Sequence, residues 1–348
     1  SPGAMLGARA HRPERTADLP RSILLLASAL LAACGQIGGE PLPRLNIAPA
    51  GVTVSGLSSG GYMAVQYHLA YGDTVGGAGV LAAGPWYCAQ GSVSRALGQC
   101  MDAANGAPRA DTLLALARRA ASEGQIAPLA SLQGDRVWIF HGERDATVAR
   151  PVSDALAEFY SALVRAGDLH YETSVPAGHG FPTLDTGVAC GDSADPYLND
   201  CDYDAAGALL AHLYGDLEPR AAPVAGHLIA FDQQRYAVDG ASLEPLGYAY
   251  VPASCRDGGA CRLHVAFHGC RQGMSFAGRA FILGAGYNAW AESNGIVILY
   301  PQVAKSFALP LNPQGCWDWW GYTGPDYAFR DGAQLASVRR MIAALGAE

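Results

Sequence analysis

The chain is 348 residues long, half of them hydrophobic and 16% charged, so it carries enough apolar side chain for a large buried core; a disordered or fibrous protein is excluded. Net charge is −8 and the 23 lysines and arginines form no long block, which leaves no footprint for nucleic acid and disfavours an anionic polymer as substrate.

The first 34 residues differ in kind from the rest. Arg9, Arg12, Arg15 and Arg21 precede the apolar run 23–31, followed by Ala32, Ala33, Cys34 and Gly35. A basic region, a short apolar core and small residues predict an export signal, too short for a stable membrane span. Leu31-Ala32-Ala33-Cys34 also resembles a bacterial lipobox, which implies cleavage before Cys34 and its lipidation; an ordinary signal peptide with an incidental cysteine is the alternative. Residues 1–4, ahead of Met5, read as a possible cloning remnant, and 35–50, with glycine and proline, as a tether.

Residues 52–55 (V-T-V-S) predict the first core strand and 62–71 the helix after it. Residues 76–83 are apolar enough for a strand buried on both faces. The stretch 84–110 is loop-rich, and a helix is expected over 111–122 with Asp111 as N-cap. Strand 136–141 (R-V-W-I-F-H) runs into Gly142-Glu143-Arg144-Asp145, helix 151–166 starts at Pro151, and strand 170–175 ends in P-A-G-H-G-F-P. Further on, 235–238 and 247–252 read as a strand pair, 262–267 as a strand running into His268-Gly269-Cys270, 277–293 as helix, 295–300 as strand and 332–345 as a final helix. Strands alternating with helices predict a mainly parallel α/β sheet with helices on both faces, and functional side chains gather at the carboxyl ends of such strands.

Gly56-Leu57-Ser58-Ser59-Gly60 fits G-x-S-x-G, in which a sharp strand-to-helix turn presents a nucleophilic serine, here Ser58. Shifting the frame to Ser59 puts Leu57 where a glycine is wanted; the bland alternative is a Ser/Gly-rich helix-capping loop. Asp145 and His179 also stand just past strand ends, and the order Ser, Asp, His is that of α/β-hydrolases. A serine hydroxyl needs a histidine to take its proton, and the histidine needs a carboxylate to hold its tautomer. Glu143 and Asp185 are rival acids; His141 and His268 are rival histidines.

An α/β-hydrolase ordinarily places an antiparallel strand pair, a strand ending in a His-Gly oxyanion loop, a helix and another strand before the nucleophile. Here those parts follow His179 instead. The chain therefore reads as a circularly permuted α/β-hydrolase in which 51–348 form one catalytic domain, with the Ser59 and Cys270 amides as oxyanion donors.

Without Cys34 the chain has eight cysteines, an even number that argues for disulfides in an exported protein. Nearest neighbours suggest Cys88 with Cys100, Cys190 with Cys201 and Cys255 with Cys261, leaving Cys270 and Cys316; connectivity itself is not deducible from sequence. With no C-x-x-C or H-E-x-x-H, neither metal nor cofactor is expected.

The segments G-L-S-S-G-G-Y-M-A (56–64), F-H-G-E-R-D-A-T-V (140–148), G-H-G-F-P (178–182), A-F-H-G-C-R-Q (266–272) and C-W-D-W-W-G-Y (316–322) resemble the extracellular poly(3-hydroxybutyrate) depolymerases, in their single-domain, circularly permuted branch. The resemblance implies a serine esterase with Ser58, Asp145 and His179 as triad, Ser59 and Cys270 as oxyanion hole, and Trp317 beside the bound ester chain. Trp319, Trp86 and Tyr87 would extend an aromatic wall for an uncharged polyester; core packing near a disulfide is the alternative for the Trp317, Trp319 and Trp320 cluster. The expected partner is an aliphatic polyester or its oligomers, with a membrane met only through the lipid anchor. Many bacterial members add a linker and a polymer-binding domain that these 348 residues lack. A feruloyl or acetylxylan esterase, and an inactive surface binding lipoprotein, are the rival readings.

Overall fold

In this computed structural model Gly3, 39–224 and 227–347 are described; the export signal, the lipobox and Cys34 lie outside the described residues. The strands are β1 (Ile47–Leu57), β2 (Gly77–Leu81), β3 (Arg136–Phe140), β4 (Leu169–Glu172), β5 (Phe181–Thr183), β6 (Val188–Ala189), β7 (Leu198–Asp200), β8 (Leu228–Asp232), β9 (Leu246–Tyr250), β10 (Cys261–Phe267) and β11 (Ile296–Tyr300). Eight of them form one sheet in the order β4-β3-β2-β1-β10-β11-β9-β8. All neighbours are parallel except β11–β9 and β9–β8, so the sheet is mainly parallel with an antiparallel edge. A small sheet, β5-β7-β6, stands apart.

Burial on both faces explains why these strands read as apolar runs. Alternate residues point to opposite sides: Val137 and Ile139 of β3 enter one core cluster, Trp138 and Phe140 the other. β11 does the same, with Val297 and Leu299 on one side and Ile296, Ile298 and Tyr300 on the other. The helix Ser59–Tyr71 is buried all round, as expected of a helix in the middle of a large core. Gly56 and Gly60 are where the chain passes itself most closely: a Cβ on Gly56 would lie 2.2 Å from Gly60 O, and one on Gly60 2.3 Å from Phe267 O.

Several expectations shift. The stretch 40–50 does not behave as a free tether: Glu40 bridges to Phe231, Leu42 is buried, Leu45 N–H donates to Leu345 O, and β1 already begins at Ile47. The outer strand is β8 rather than 235–238, because the Asp232 carboxylate accepts from Gln234 N–H and opens a 3₁₀ turn over Gln233–Arg235. The single helix expected over 277–293 is three short ones, Met274–Ala277, Ala280–Gly284 and Tyr287–Asn294, broken where Gly278 and Gly286 adopt φ of 57° and 92°. Asp111 lies in the first turn of Ala110–Ser122 and pairs with the N-cap Arg109.

Candidate active site

Ser58 follows β1 and immediately precedes the buried helix, with φ 57° and ψ −119°, a left-handed backbone that L side chains rarely adopt. Its N–H is held by Leu81 O of β2 at 2.9 Å and its carbonyl by Tyr62 N–H at 2.9 Å. Those bonds over-determine the turn and hold the hydroxyl at the carboxyl end of the sheet.

Asp145 follows β3. Its Oδ1 accepts from the Thr147 and Val148 amides at 2.8 and 3.0 Å, and its Oδ2 accepts from His179 Nδ1–H at 2.8 Å. Burial works to raise the carboxyl pKa, but the His179 hydrogen bond and charge, with the Val148 and Thr147 amides, outweigh it and the net shift is downward. Asp145 therefore stays ionised. An acceptor on Nδ1 puts the proton there and leaves Nε2 as the acceptor nitrogen of the neutral ring. Among the described residues Ser58 Oγ and His179 Nε2 form no hydrogen bond with each other, yet both line one cavity of about 450 Å³. Such contacts often tighten only on substrate binding.

The loop carrying His179 is braced from behind. His179 N–H donates to Ser193 Oγ at 2.8 Å, Gly178 N–H donates to Cys190 O, and the buried Asn199 amide donates to the Cys190 and Asp192 carbonyls. The Cys190–Cys201 disulfide closes this small sheet. The rival residues are placed differently: Glu143 is exposed, Asp185 lines a different hollow, and His141 Nε2 is engaged by Val148 O.

Ser59 and Cys270 both line the cavity, and neither amide donates a hydrogen bond to a described residue. Ser59 is the first residue of its helix, where an N–H has no partner within the helix. For Cys270 the peptide on its N-terminal side is held by His268, one of the rival histidines. Its ring is fully buried, Nε2 accepts from Val303 N–H at 3.3 Å, and the proton that this leaves on Nδ1 goes to Gly269 O at 2.8 Å. Gly269 O and Cys270 N–H belong to one planar trans peptide, so pinning the carbonyl turns the N–H the other way. Burial lowers the His268 pKa to about 4 against the Gly269 hydrogen bond, which keeps the ring neutral.

All four expected cysteine pairs are formed: Cys88–Cys100, Cys190–Cys201, Cys255–Cys261 and Cys270–Cys316. The last ties the loop after β10 to the tryptophan-rich loop.

The aromatic expectations divide. Trp319 lines the cavity, stacked on Tyr62 with ring centroids 4.5 Å apart, and Trp320 lines it too. Trp317 does not: it is 0% exposed and packs its ring on Phe267 and His268, while its backbone N–H donates to Ser59 Oγ at 3.3 Å. Trp86 and Tyr87 are also outside the cavity; they flank a separate shallow hollow with Leu116 and Phe329, and Trp86 Nε1–H donates to Ala328 O. For Trp317 and Trp86 core packing outcompetes display, because a buried indole gains its whole area.

Asp318 organises the tryptophan loop and was missed. Its Oδ1 accepts from the Trp320, Gly321 and Tyr322 amides and its Oδ2 from the Thr323 amide and hydroxyl, at 2.6–3.1 Å. Asp three residues before Gly in D-W-W-G was the available signal. The remaining cavity wall is mostly apolar, with Leu57, Val93, Ala96, Leu97, Met101, Val148 and Leu311.

No family model matches the chain. It is 42% identical over 325 residues to a poly(3-hydroxybutyrate) depolymerase of Delftia acidovorans, covering 91% of this chain and 64% of that protein. It is 38% identical over 327 residues to a polyhydroxybutyrate depolymerase of Talaromyces funiculosus, covering 89% of this chain and 94% of that one. Among solved structures, a PHB depolymerase complexed with an R3HB trimer is similar at a TM-score of 0.82, and a PHB depolymerase from Penicillium funiculosum at 0.81. Each is 36% identical, over 88% of this chain and 99% of the other. Sequence likeness at this level over nearly all of the Talaromyces protein, together with the shared fold, makes this chain a member of the polyhydroxybutyrate depolymerase family.

Proposed function

We propose that this protein is a serine esterase that hydrolyses the ester bonds of poly(3-hydroxybutyrate), a related short-chain polyester, or their oligomers. The observation that carries the reading is the convergence, in one largely apolar cavity, of Ser58, the buried His179–Asp145 pair and two undonated amides, Ser59 and Cys270. In this reading His179 Nε2 takes the Ser58 proton as Oγ attacks the ester carbonyl, and the two amides receive the negative charge on the carbonyl oxygen. The carbon–oxygen bond to the alcohol then breaks, His179 returns the proton to that alcohol, and an acyl-Ser58 ester remains. Water, deprotonated by the same histidine, releases the acid and restores the serine.

The substrate class draws support from the R3HB trimer bound to one solved relative and from a cavity lined by Trp319, Trp320 and aliphatic side chains. Permutation is supported by strand order: read across the sheet, β8, β9, β11, β10, β1, β2, β3, β4 follow the hydrolase plan with the nucleophile strand fifth. On that plan 51–348 act as one catalytic domain, extended by 40–50. Export, with a lipid on Cys34, is part of the same reading, supported by four disulfides that need an oxidising compartment. The test is incubation with amorphous poly(3-hydroxybutyrate) and its trimer, with aryl and acetyl sugar esters alongside. Release of 3-hydroxybutyrate and its dimer is expected; turnover of the sugar esters alone would select the feruloyl or acetylxylan reading.

A further inference from the structure

One charge stands out in the cavity wall. Among the described residues that line it, Arg271 alone carries a permanent charge: no aspartate, glutamate or lysine joins it. Arg271 is exposed, its guanidinium makes neither a hydrogen bond nor an ion pair with a described residue, and its ring contact is with Tyr197, 6.0 Å from the centroid. A guanidinium that served only folding would ordinarily be paired or turned to bulk solvent away from an apolar site.

Its backbone is held in place. Arg271 has φ 60°, a conformation that favours glycine, and its N–H donates to Gln314 O at 2.8 Å. On one side Cys270 is bound to Cys316; on the other, the buried Gln272 accepts from Gly269 N–H and donates to the Pro196 and Tyr197 carbonyls. A strained, over-determined backbone therefore presents a free cation one residue from the oxyanion donor.

In a hydroxybutyrate oligomer the acyl part attached to the serine runs toward the hydroxyl end, and the departing alcohol runs toward the carboxyl end. The last repeat carries its carboxylate one short unit from the scissile ester. We propose that Arg271 binds this terminal carboxylate, so that short oligomers are taken up by their carboxyl end and the ester nearest that end is cut first. This inference rests on the polyester reading of the same cavity. The planar fork of the guanidinium matches a carboxylate, and the acidic protein, at net charge −8, offers such an anion little else to bind at this rim.

The experiment compares 3-hydroxybutyrate trimer as the free acid with its methyl ester, at low ionic strength. For the native protein we expect a KM about fivefold lower for the free acid, the size of one partly exposed charge pair. The ratio should fall to about one in Arg271→Gln, stay intermediate in Arg271→Lys, and shrink for the native protein in high salt. Because the ratio is read within each variant, a poorly folded variant lowers both rates and leaves the ratio interpretable. Equal KM values in the native protein, or a preference that survives Arg271→Gln, would overturn the proposal and leave the esterase reading standing. If the native protein cleaves neither trimer nor methyl ester, the polyester reading fails and this inference goes with it.

Discussion

Two histidines, one in the loop beyond β4 and one within the central sheet, show what separates a reactive site from a structural one. At the carboxyl end His179 bonds Asp145 through Nδ1 and leaves Nε2 toward an open cavity. In the layer beneath, His264 of β10 has both nitrogens taken, Nδ1 by Thr53 Oγ1 at 2.7 Å and Nε2 by Ser55 Oγ at 2.6 Å, with Tyr287 OH on Ser55 and Tyr214 OH on Thr53. The residue types are the same, a histidine with a serine. The difference lies in the partner and the exit: an ionised carboxylate and a free nitrogen make a base, whereas two hydroxyls in a dry layer make a bolt between β1, which ends at Ser58, and β10, which ends at the Cys270 loop.

Breaking the reactive side should have the largest effect. Ser58→Ala is expected to lower kcat on a soluble butyrate ester by about six orders of magnitude and Asp145→Asn by about four. Ser59→Ala should keep a measurable rate, because its contribution comes from the backbone amide. Steady-state kinetics on the three variants check this; an inactive Ser59→Ala beside an active Ser58→Ala would reverse the assignment.

Breaking the bolt should cost stability before it costs chemistry. His264→Ala removes a buried ring and takes one of two partners from each of the Thr53 and Ser55 hydroxyls, so about 2–4 kcal/mol of unfolding free energy should be lost in urea titrations. At temperatures where the variant is folded, kcat should stay within about tenfold of the native value. A loss comparable to that of Asp145→Asn, with stability intact, would place His264 with His179 in the chemistry.

Acid sharpens the same contrast. Burial lowers the His264 pKa to about 3, while the unfolded chain binds that proton near pH 6.5. Between those values the unfolded state holds more protons, so stability falls as pH drops from about 6.5 toward 3, at a limiting slope of about 1.4 kcal/mol per pH unit for this group. His268, at about 4, adds to the slope over the upper part of the window. Denaturant midpoints between pH 7 and 4 should fall for the native protein and less steeply for His264→Gln; an unchanged slope in the variant would count against a neutral buried histidine.

The smallest effect expected is at the aromatic wall. Trp319→Ala should raise KM for hydroxybutyrate trimer by about three- to tenfold, a loss of about 1 kcal/mol of contact with little change in kcat. A purely structural tryptophan would instead lower the urea midpoint without separating KM from kcat.

The strand ends that Ser58, Asp145 and His179 follow were largely legible in the chain. Serine between glycines, and aspartate and histidine just beyond apolar runs, carry local signatures because a strand end must turn and the turn chemistry is written in adjacent residues. The bolt was not legible. Thr53 and Ser55 look like ordinary strand residues, and only pairing of β1 with β10, more than 200 positions apart, brings His264 between them. The outer strand at 228–232 escaped notice for a related reason: an edge strand with mostly half-buried residues has a weak alternation signal.

The sequence by itself determined which residue types stand at the strand ends, the order of serine, acid and histidine, and which cysteines lie near one another, because these depend on local turns and short loops. Tertiary structure alone decided which tryptophans face the cavity. Trp317 and Trp319 are two residues apart in the same motif, yet one fills the core behind Ser59 and the other lines the cavity, stacked on Tyr62. That choice depends on which neighbouring surface has room for an indole, set by the Asp318 turn and by the Cys270–Cys316 bond, and no run of adjacent residues encodes it.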